Sequence, residues 1–522
     1  MLESKASIEE IAALNQIELA IFVSRSVAIC EEMGAVLRQA AFSPNIKDRL
    51  DFSCALFDAA GKLFAQAAHV PVHLGSMAFA MSYIVGEKVW HEGDMLIFND
   101  PYLGGTHLPD VTLVQPFFVE GELQGFVANR AHHANIGADS PGSMPISSSL
   151  EEEGLLIAPT FLYQKGKADE ALFAYLNAEL GVNTSGDLAA QCSANTLGVQ
   201  RIESLARNSG RKLFQQAVDK TNQYGLDIAL KSLKVIPVGR YQFEDKLDDD
   251  GWANQDLQIV VTIEVSEDQL TVDFTGTSEQ VKGNVNCPLS VTAAAVFYCF
   301  RCLLPEYTPA CSGVFKPIKL LAPEACLINA QRPAATAAGN VETSQRIVDC
   351  VFGALAKALP ELIPAASQGT MNNVAMGIHQ DDISWDYYET LGGGMGGGPQ
   401  ESGISAVQSH MTNTLNTPIE SLEMHFPIRI RRYQIRRGSG GKGRYPGGDG
   451  LIREYEFLGP AEATLITERR RHPPWGLCGG LPGQVGRNML DGVLLPGKCQ
   501  LTVQAGQTLR IETPGGGAWG ED

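Results

Sequence analysis

Long apolar runs are missing from this chain. No stretch in its 522 residues approaches the ~18 apolar residues of a membrane helix, so helical membrane spans are excluded. Basic charge is scarce as well. Lys and Arg number 40 against 59 Asp and Glu, for a formal net charge of −19, which argues against nucleic acid and anionic membranes as partners. The opening MLESKASIEE has neither the basic nor the apolar segment of a signal peptide. Cysteine is present but unpatterned: 11 residues, an odd count without framework spacing, read as reduced thiols in cytoplasm. Cys299 and Cys302 form a CxxC with no second pair to complete a zinc site, so core packing is expected of them.

Nucleotide and nucleophile signatures are absent too. GSGGKGR at 438–444 fails the spacing of a phosphate-binding loop. No GxSxG elbow occurs, and no dinucleotide fingerprint sits in a βαβ context. If ATP serves this protein, the chain shows no motif that binds it.

What is present is length enough for two to four domains and an unusual 54 glycines. The patterning predicts a mixed α+β, multi-domain fold with soft boundaries at 236/237 and 390/391. Segment 1–236 holds a β-hairpin and a metal site. Segment 237–390 is α/β, and 391–522 is Gly-rich and β-rich. Ser7 with Glu10 forms a capping box; Ile8, Ile11, Leu14, Ile17 and Ile21 follow at helical spacing, predicting a packing helix to about Ala41. FSCALFD and KLFAQ read as a strand pair, with a helix over 76–87 and a strand over 93–98. A helical stretch is expected over 187–235, broken at Ser209-Gly210. Strands fill 241–275, and helices 290–303 and 343–359 follow. The loop 139–149, rich in Ser, Pro and Gly, reads as a lid or a connection. From Arg431 to Gly450, five arginines and a lysine suit a phosphate-facing or subunit-facing patch or a solvated loop.

The most informative stretch is GGTHLPDVTLVQPFFVEGELQGFVANRAHHANIG, 104–137. Val111–Val119 and Leu123–Arg130 read as a hairpin joined at Glu120-Gly121-Glu122. With the turn centred on Gly121, Asp110 faces His132; a two-residue turn moves this by one position. Opposed Cα atoms lie about 4.5–5.5 Å apart, close enough for side chains to share an ion. Two imidazoles and a carboxylate suit a divalent transition metal with open positions, so His107, Asp110 and His132 are the metal-ligand candidates. His133 points to the opposite face if the strand continues. Histidines at a hairpin mouth also serve as solvated or loop-bonded groups. His73 is read either as a further ligand or as a loop residue, and Asp100 as an acceptor for a ligating His or a turn former. In LGGGMGGGP, Gly392, Gly393, Gly394, Gly396, Gly397 and Gly398 are candidates for a backbone anion nest, against a flexible surface loop.

NDPYLGGTHLPDV, ANRAHHANIG with SPGSMP, GDLAAQ, AAGNVETSQRI, GTMNN, GGGMGGGP and SHMTNTLNTPIE together resemble the hydantoinase B / 5-oxoprolinase family. That family includes N-methylhydantoinase B-type chains and, more distantly, acetone and acetophenone carboxylase large subunits. The resemblance covers nearly the whole chain. It implies a hydantoinase A-type ATPase partner of actin-like fold, using ATP and Mg, in a hetero-oligomeric enzyme. It also implies a small cyclic amide substrate whose oxygen is phosphorylated on that partner and whose carbon is then attacked by metal-bound water on this chain. Mn, Fe and Zn all suit His107, Asp110 and His132, the positions that match the metal site of the related acetone carboxylase. Under the same resemblance Asp100 or His133 steers protons, His410, retained within SHMTNT, is a further catalytic candidate, and the glycines cradle phosphate. Two positions depart from the family pattern: Asn135 replaces a carboxylate and Gln408 a histidine. A ketone carboxylase subunit and a non-catalytic scaffold are the alternatives.

Overall fold

A computed structural model describes residues 15–67, 69–267, 269–380 and 383–522. The first helix, α1 (Gln16–Ala40), opens on a capping box in which the Asn15 side chain accepts from Glu18 N–H and Glu18 accepts from Asn15 N–H. The capping box expected at Ser7 and Glu10 lies outside the described residues, as do Ile8, Ile11 and Leu14. Ile17 and Ile21 are solvent-exposed, so the expected packing stripe is corrected: Phe22, Ile29, Met33 and Leu37 carry it instead. A short α2 (Pro44–Lys47) follows, then α3 (His73–Glu87).

The first sheet has the order β2-β1-β5-β4-β3-β6-β7. Its strands are β1 (Phe52–Asp58), β2 (Leu63–Gln66), β3 (Met95–Phe98), β4 (Asp110–Val119), β5 (Glu122–His132), β6 (Thr160–Gln164) and β7 (Lys167–Ala168). Alternation in β1 sends Cys54 and Leu56 toward one core and Ala55 and Phe57 toward another. On the first side pack α1, α4 (Glu170–Ser209) and α5 (Arg211–Ser232), through Met33, Ala194 and Phe214. On the second packs α3, through Met77, Ala80 and Ile84. The long helix begins earlier than the expected 187 and kinks at Gly181 before breaking at Gly210. Both glycines have φ near +80°, which L side chains avoid.

The second sheet, β11-β10-β9-β8, comprises β8 (Gly239–Asp249), β9 (Gln255–Val265), β10 (Leu270–Asp273) and β11 (Ile318–Leu321). Over it lie α6 (Leu289–Arg301) and α7 (Ser344–Ala358), the latter buried over 344–356. A π-helical turn, Gly339–Thr343, leads into α7. Cys299 is buried on α6, as expected, while Cys302 just beyond is exposed.

The remaining strands are β12 (Asn373–Gln380), β13 (Ile383–Glu389), β14 (Ile428–Arg436), β15 (Gly450–Phe457), β16 (Ala461–Ile466), β17 (Arg487–Leu490), β18 (Val493–Leu495), β19 (Lys498–Val503) and β20 (Thr508–Glu512). They form two sheets, β13-β12-β16-β19 and β14-β15-β20-β17-β18. The boundary expected at 390/391 is therefore corrected. It cuts a sheet, because β12 pairs with β16 from Asn373↔Ile466 to Gly377↔Glu462. The arginine run starts in a strand rather than a loop: its first part belongs to the edge strand β14, where Arg431 reaches Glu456 on β15. Among the described residues, no helix is long and apolar enough to cross a membrane.

Candidate metal centre

Register decides which side chains meet at the mouth of the β4–β5 hairpin. The turn is a two-residue one, Glu120-Gly121, both with positive φ, the type whose twist suits a hairpin. Val119 accordingly faces Glu122 rather than Leu123. A β-bulge at Phe117/Phe118 then takes up the extra residue, Gln124, and Asp110 faces His132. One irregularity cancels the other, and the pairing expected at the open end is the one observed.

Three ligand atoms, one each from His107, Asp110 and His132, lie within 4.8 Å of one another, and all three residues are buried. His107 Nε2, His132 Nε2 and Asp110 Oδ1 are buried without a hydrogen-bond partner. Unpaired polar atoms in the interior are costly, so one on each of three residues clustered this closely points to a ligand. Two imidazole nitrogens and one carboxylate oxygen fit a divalent transition metal with further positions open.

The atoms behind this front are engaged. Asp110 Oδ2 accepts from Thr106 Oγ1 and lies 3.4 Å from Asn340 Nδ2, 3.3 Å from His73 Nε2 and 3.5 Å from His107 Nε2. That leaves Oδ1 as the free oxygen. His107 Nδ1 is 3.2 Å from the Ala337 carbonyl, and His132 Nδ1 is 3.0 Å from Asn45 Nδ2. The His132 ring stacks on Tyr388 with centroids 4.8 Å apart and planes 6° from parallel. Arg49 lies over the far ring of this pair, 4.9 Å from the Tyr388 centroid, and donates to the Tyr388 carbonyl. Such outer contacts fix ring orientation at metal sites.

Electrostatics agree with this division. Burial works to raise the Asp110 carboxyl, but His107 and His73 beside it hold it well below the usual range. Burial works to lower His107, and Asp110 outweighs it, raising the imidazole. His132 is pushed well below its ordinary value by burial and by neighbouring His107, which keeps the ring neutral; for Nε2 to ligate, the ring proton must sit on Nδ1 and Asn45 must turn its Oδ1 toward it. Glu153, raised to about 7 by burial, accepts from the Thr336 and Ala337 N–H groups and from Ser147 Oγ. It thereby braces the segment whose carbonyl meets His107.

The other sequence candidates are placed apart from these atoms. His133, on the opposite face, has Nε2 2.8 Å from Gln191 Oε1 on α4. Asp100 caps a one-turn 3₁₀ helix, accepting from Tyr102 N–H, and pairs with Arg332; it serves as a turn former. His410 sits near Tyr298 Oη at 3.5 Å and Asp349 at 3.9 Å, and burial depresses its imidazole to about 4. His73 contacts Asp110 rather than joining the ligand trio.

The glycine run departs from expectation. The N–H groups of Gly393, Gly394, Gly397 and Gly398 donate to the carbonyls of Val407, Pro514, Gly517 and Glu401, and that of Gly396 to Ser367 Oγ. Gly392 is buried against the chain on its other side: a Cβ there would stand 2.8 Å from the Val407 carbonyl carbon. A Cβ at Gly394 would stand 2.0 Å from the Gly448 carbonyl oxygen. The anion nest expected of Gly392, Gly393, Gly394, Gly396, Gly397 and Gly398 is therefore corrected. Absence of a side chain here lets backbones pack closely, and the N–H groups of the last five are spent on neighbouring oxygens. Asn45 and Tyr388 carry no motif of their own in the sequence. Asn340 lies inside AAGNVETSQRI, just before the helix expected over 343–359, whose N-terminus would suit an anion.

Residues 15–522 match the family described as hydantoinase B/oxoprolinase. The chain belongs to that family. An uncharacterised relative from Methanocaldococcus jannaschii is 40% identical, covering 97% of this chain and 91% of its own length. 5-Oxoprolinase 1 of Arabidopsis thaliana is 38% identical over 97% of this chain, which spans 42% of that protein. The B chain of a putative D-/L-hydantoinase from a Pseudomonas strain is 32% identical, with 94% and 88% covered. Among solved structures, the ATP-dependent caprolactamase of Pseudomonas jessenii superposes with a TM-score of 0.90 at 24% identity, covering 97% of this chain and 91% of its own. Acetone carboxylase superposes at 0.86 with 17% identity, covering 97% and 76%. The hydantoinase B/oxoprolinase fold is thus the mixed, several-sheet architecture seen here.

Proposed function

We propose that the chain is the hydrolytic subunit of an ATP-dependent cyclic amide hydrolase, acting on a ring whose oxygen a hydantoinase A-type ATPase subunit has phosphorylated. The observation that carries this reading is that His107, Asp110 and His132 are buried with ligand atoms within 4.8 Å of one another, and that each of the three has a polar atom without a hydrogen-bond partner. Relatives named as a 5-oxoprolinase and as one chain of a hydantoinase support the substrate class. The chain covers more of the caprolactamase chain than of the acetone carboxylase chain, which favours hydrolysis over carboxylation. It spans about two-fifths of the 5-oxoprolinase it matches, leaving ample length there for an activating half that a separate subunit would supply here.

A cyclic amide resists water because resonance places electron density on its oxygen; phosphorylating that oxygen withdraws the density, so water adds to the carbon, the C–N bond breaks to open the ring, and the acyl phosphate left behind loses phosphate to a second water. A divalent cation such as Mn, Fe or Zn, held by His107, Asp110 and His132, would act as a Lewis acid and bring the pKa of a coordinated water toward ~7. Asp110 supplies the negative charge that offsets the cation. Asn45, Tyr388 and the Ala337 carbonyl hold the two imidazoles in place. The buried walls restrict bulk water, which protects an activated ring from wasteful decay.

The test is Asp110→Ala in the co-purified pair, with phosphate and ring-opened product measured together. The expected result is continued ATP turnover uncoupled from product, with ring opening reduced at least ~100-fold, a loss of about 2.7 kcal/mol of barrier lowering. Equal loss of both would place Asp110 before phosphorylation, and normal product formation would remove it from the reaction.

A further inference from the structure

Around the metal centre one side chain is only half used. Asn340 stands in the π-helical turn Gly339–Thr343 that leads into α7. Such turns interrupt regular helix hydrogen bonding and recur at functional sites. Its backbone is fixed: Gly339 N–H donates to the Asn284 carbonyl, and Ser344 Oγ donates to the Asn340 carbonyl at 2.6 Å. A Cβ at Gly339 would stand 1.9 Å from the Asn286 carbonyl oxygen, so the turn packs too tightly to shift. Asn340 is 4% exposed.

Within that carboxamide, Nδ2 lies 3.4 Å from Asp110 Oδ2, while Oδ1 is buried without a partner. The orientation has a physical reason. A carboxylate only accepts hydrogen bonds, so the NH2 end turns to Asp110 and the carbonyl end is directed away from it. This leaves an unpaired acceptor on the same planar carboxamide whose other end meets Asp110. The nearby donors of Thr106 and His73 are already spent on Asp110 Oδ2.

We propose that Asn340 has two tasks at this centre: it positions Asp110, and its Oδ1 accepts the ring N–H of a secondary cyclic amide, a proton the O-phosphorylated ring keeps in its N-protonated imidate form, the form most open to water. This rests on the cyclic amide reading and narrows it. A lactam or hydantoin with a free ring N–H satisfies the buried acceptor; a ring carrying an N-alkyl group leaves it unpaired and crowded. A site built to hydrogen-bond a substrate group discriminates strongly against an analogue that lacks it.

The experiment uses the full chain loaded with Mn2+ and a matched pair of probes, 2-pyrrolidinone and N-methyl-2-pyrrolidinone. Mn2+ affinity is read by titration, and probe binding by paramagnetic broadening of the ring proton signals. Wild type should prefer 2-pyrrolidinone. Asn340→Leu, similar in shape but without polar atoms, should weaken Mn2+ by about tenfold or more, as outer-shell changes do, and should abolish the preference. Asn340→Gln keeps a carboxamide with both a donor and an acceptor and should keep the preference, which guards against mistaking a misfolded variant for a confirmed role; thermal melting checks both. Unchanged Mn2+ affinity together with unchanged preference in Asn340→Leu would overturn the proposal. Wild-type chain that binds Mn2+ but neither probe overturns the N–H recognition, an outcome separable from the Asp110→Ala result that judges the hydrolase reading.

Discussion

His132 and His133 are chain neighbours of one chemistry, and the strand gives them opposite surroundings. His132 enters the metal centre, with Asn45 at its Nδ1 and Tyr388 against its face. His133 turns to α4 and Gln191. The difference follows from strand alternation alone and makes a sharp comparison. Purified wild-type chain should carry close to one divalent ion. His107→Ala and His132→Ala should each bring metal content near zero by elemental analysis. His133→Ala should retain the metal and lose on the order of 1 kcal/mol of stability with its hydrogen bond, read as a lowered melting temperature. Metal kept in both of the first two variants would dismiss the ligand assignment. Selective loss in His133→Ala would mean that the neighbouring imidazole is the ligand.

At the scale of elements, the hairpin shows what sequence can and cannot tell. The apolar alternation, the turn and the pairing of Asp110 with His132 were legible because they depend on residues close in the chain. The bulge at Phe117/Phe118 was not, since no residue there marks it; it shows only once the ladder is complete. Asn340 and Tyr388 lie more than 200 positions from the hairpin, and no spacing rule connects them to it. The run from Gly392 to Gly398 gave its composition but not its use, because an N–H group free to bind an anion and one bonded to a neighbouring strand look alike in sequence. Two other glycines separate backbone strain from packing. Gly104 has φ +91°, and an added Cβ would stand 2.3 Å from Ala80 Cα on α3; Gly121, φ +79°, faces open space. Gly121→Ala should cost about 1–2 kcal/mol from conformation alone and leave metal affinity unchanged. Gly104→Ala must displace α3, which begins at His73 beside Asp110. It should lower melting further and weaken metal binding in the same titration. Equal effects of the two substitutions would show that α3 does not brace the site.

At the scale of the whole molecule, the centre is a junction. Its ligands come from the first sheet and the loop before it, the Ala337 carbonyl and Asn340 from the segment entering α7, and Tyr388 from β13. β13 in turn belongs to a sheet completed by β16 and β19. An ion bound at the hairpin mouth therefore stabilises contacts among segments that are remote in sequence. Binding to the native state alone adds RT ln(1 + [L]/Kd), about 2.7 kcal/mol at a hundredfold excess over Kd, and any amide that exchanges only through opening of this junction feels that increment. Chelating the metal and restoring it, with hydrogen exchange followed by mass spectrometry, should show slowed exchange on metal addition in three places: the hairpin end near 107–132, the π-helical turn at 339–343, and β13. The slowing should approach ~100-fold at that excess for amides that open with the junction. Protection confined to the hairpin would mean that the outer contacts are bystanders to binding. Protection at all three would show one cooperative unit, with metal occupancy coupling the N-terminal ligands to the sheet that carries Tyr388.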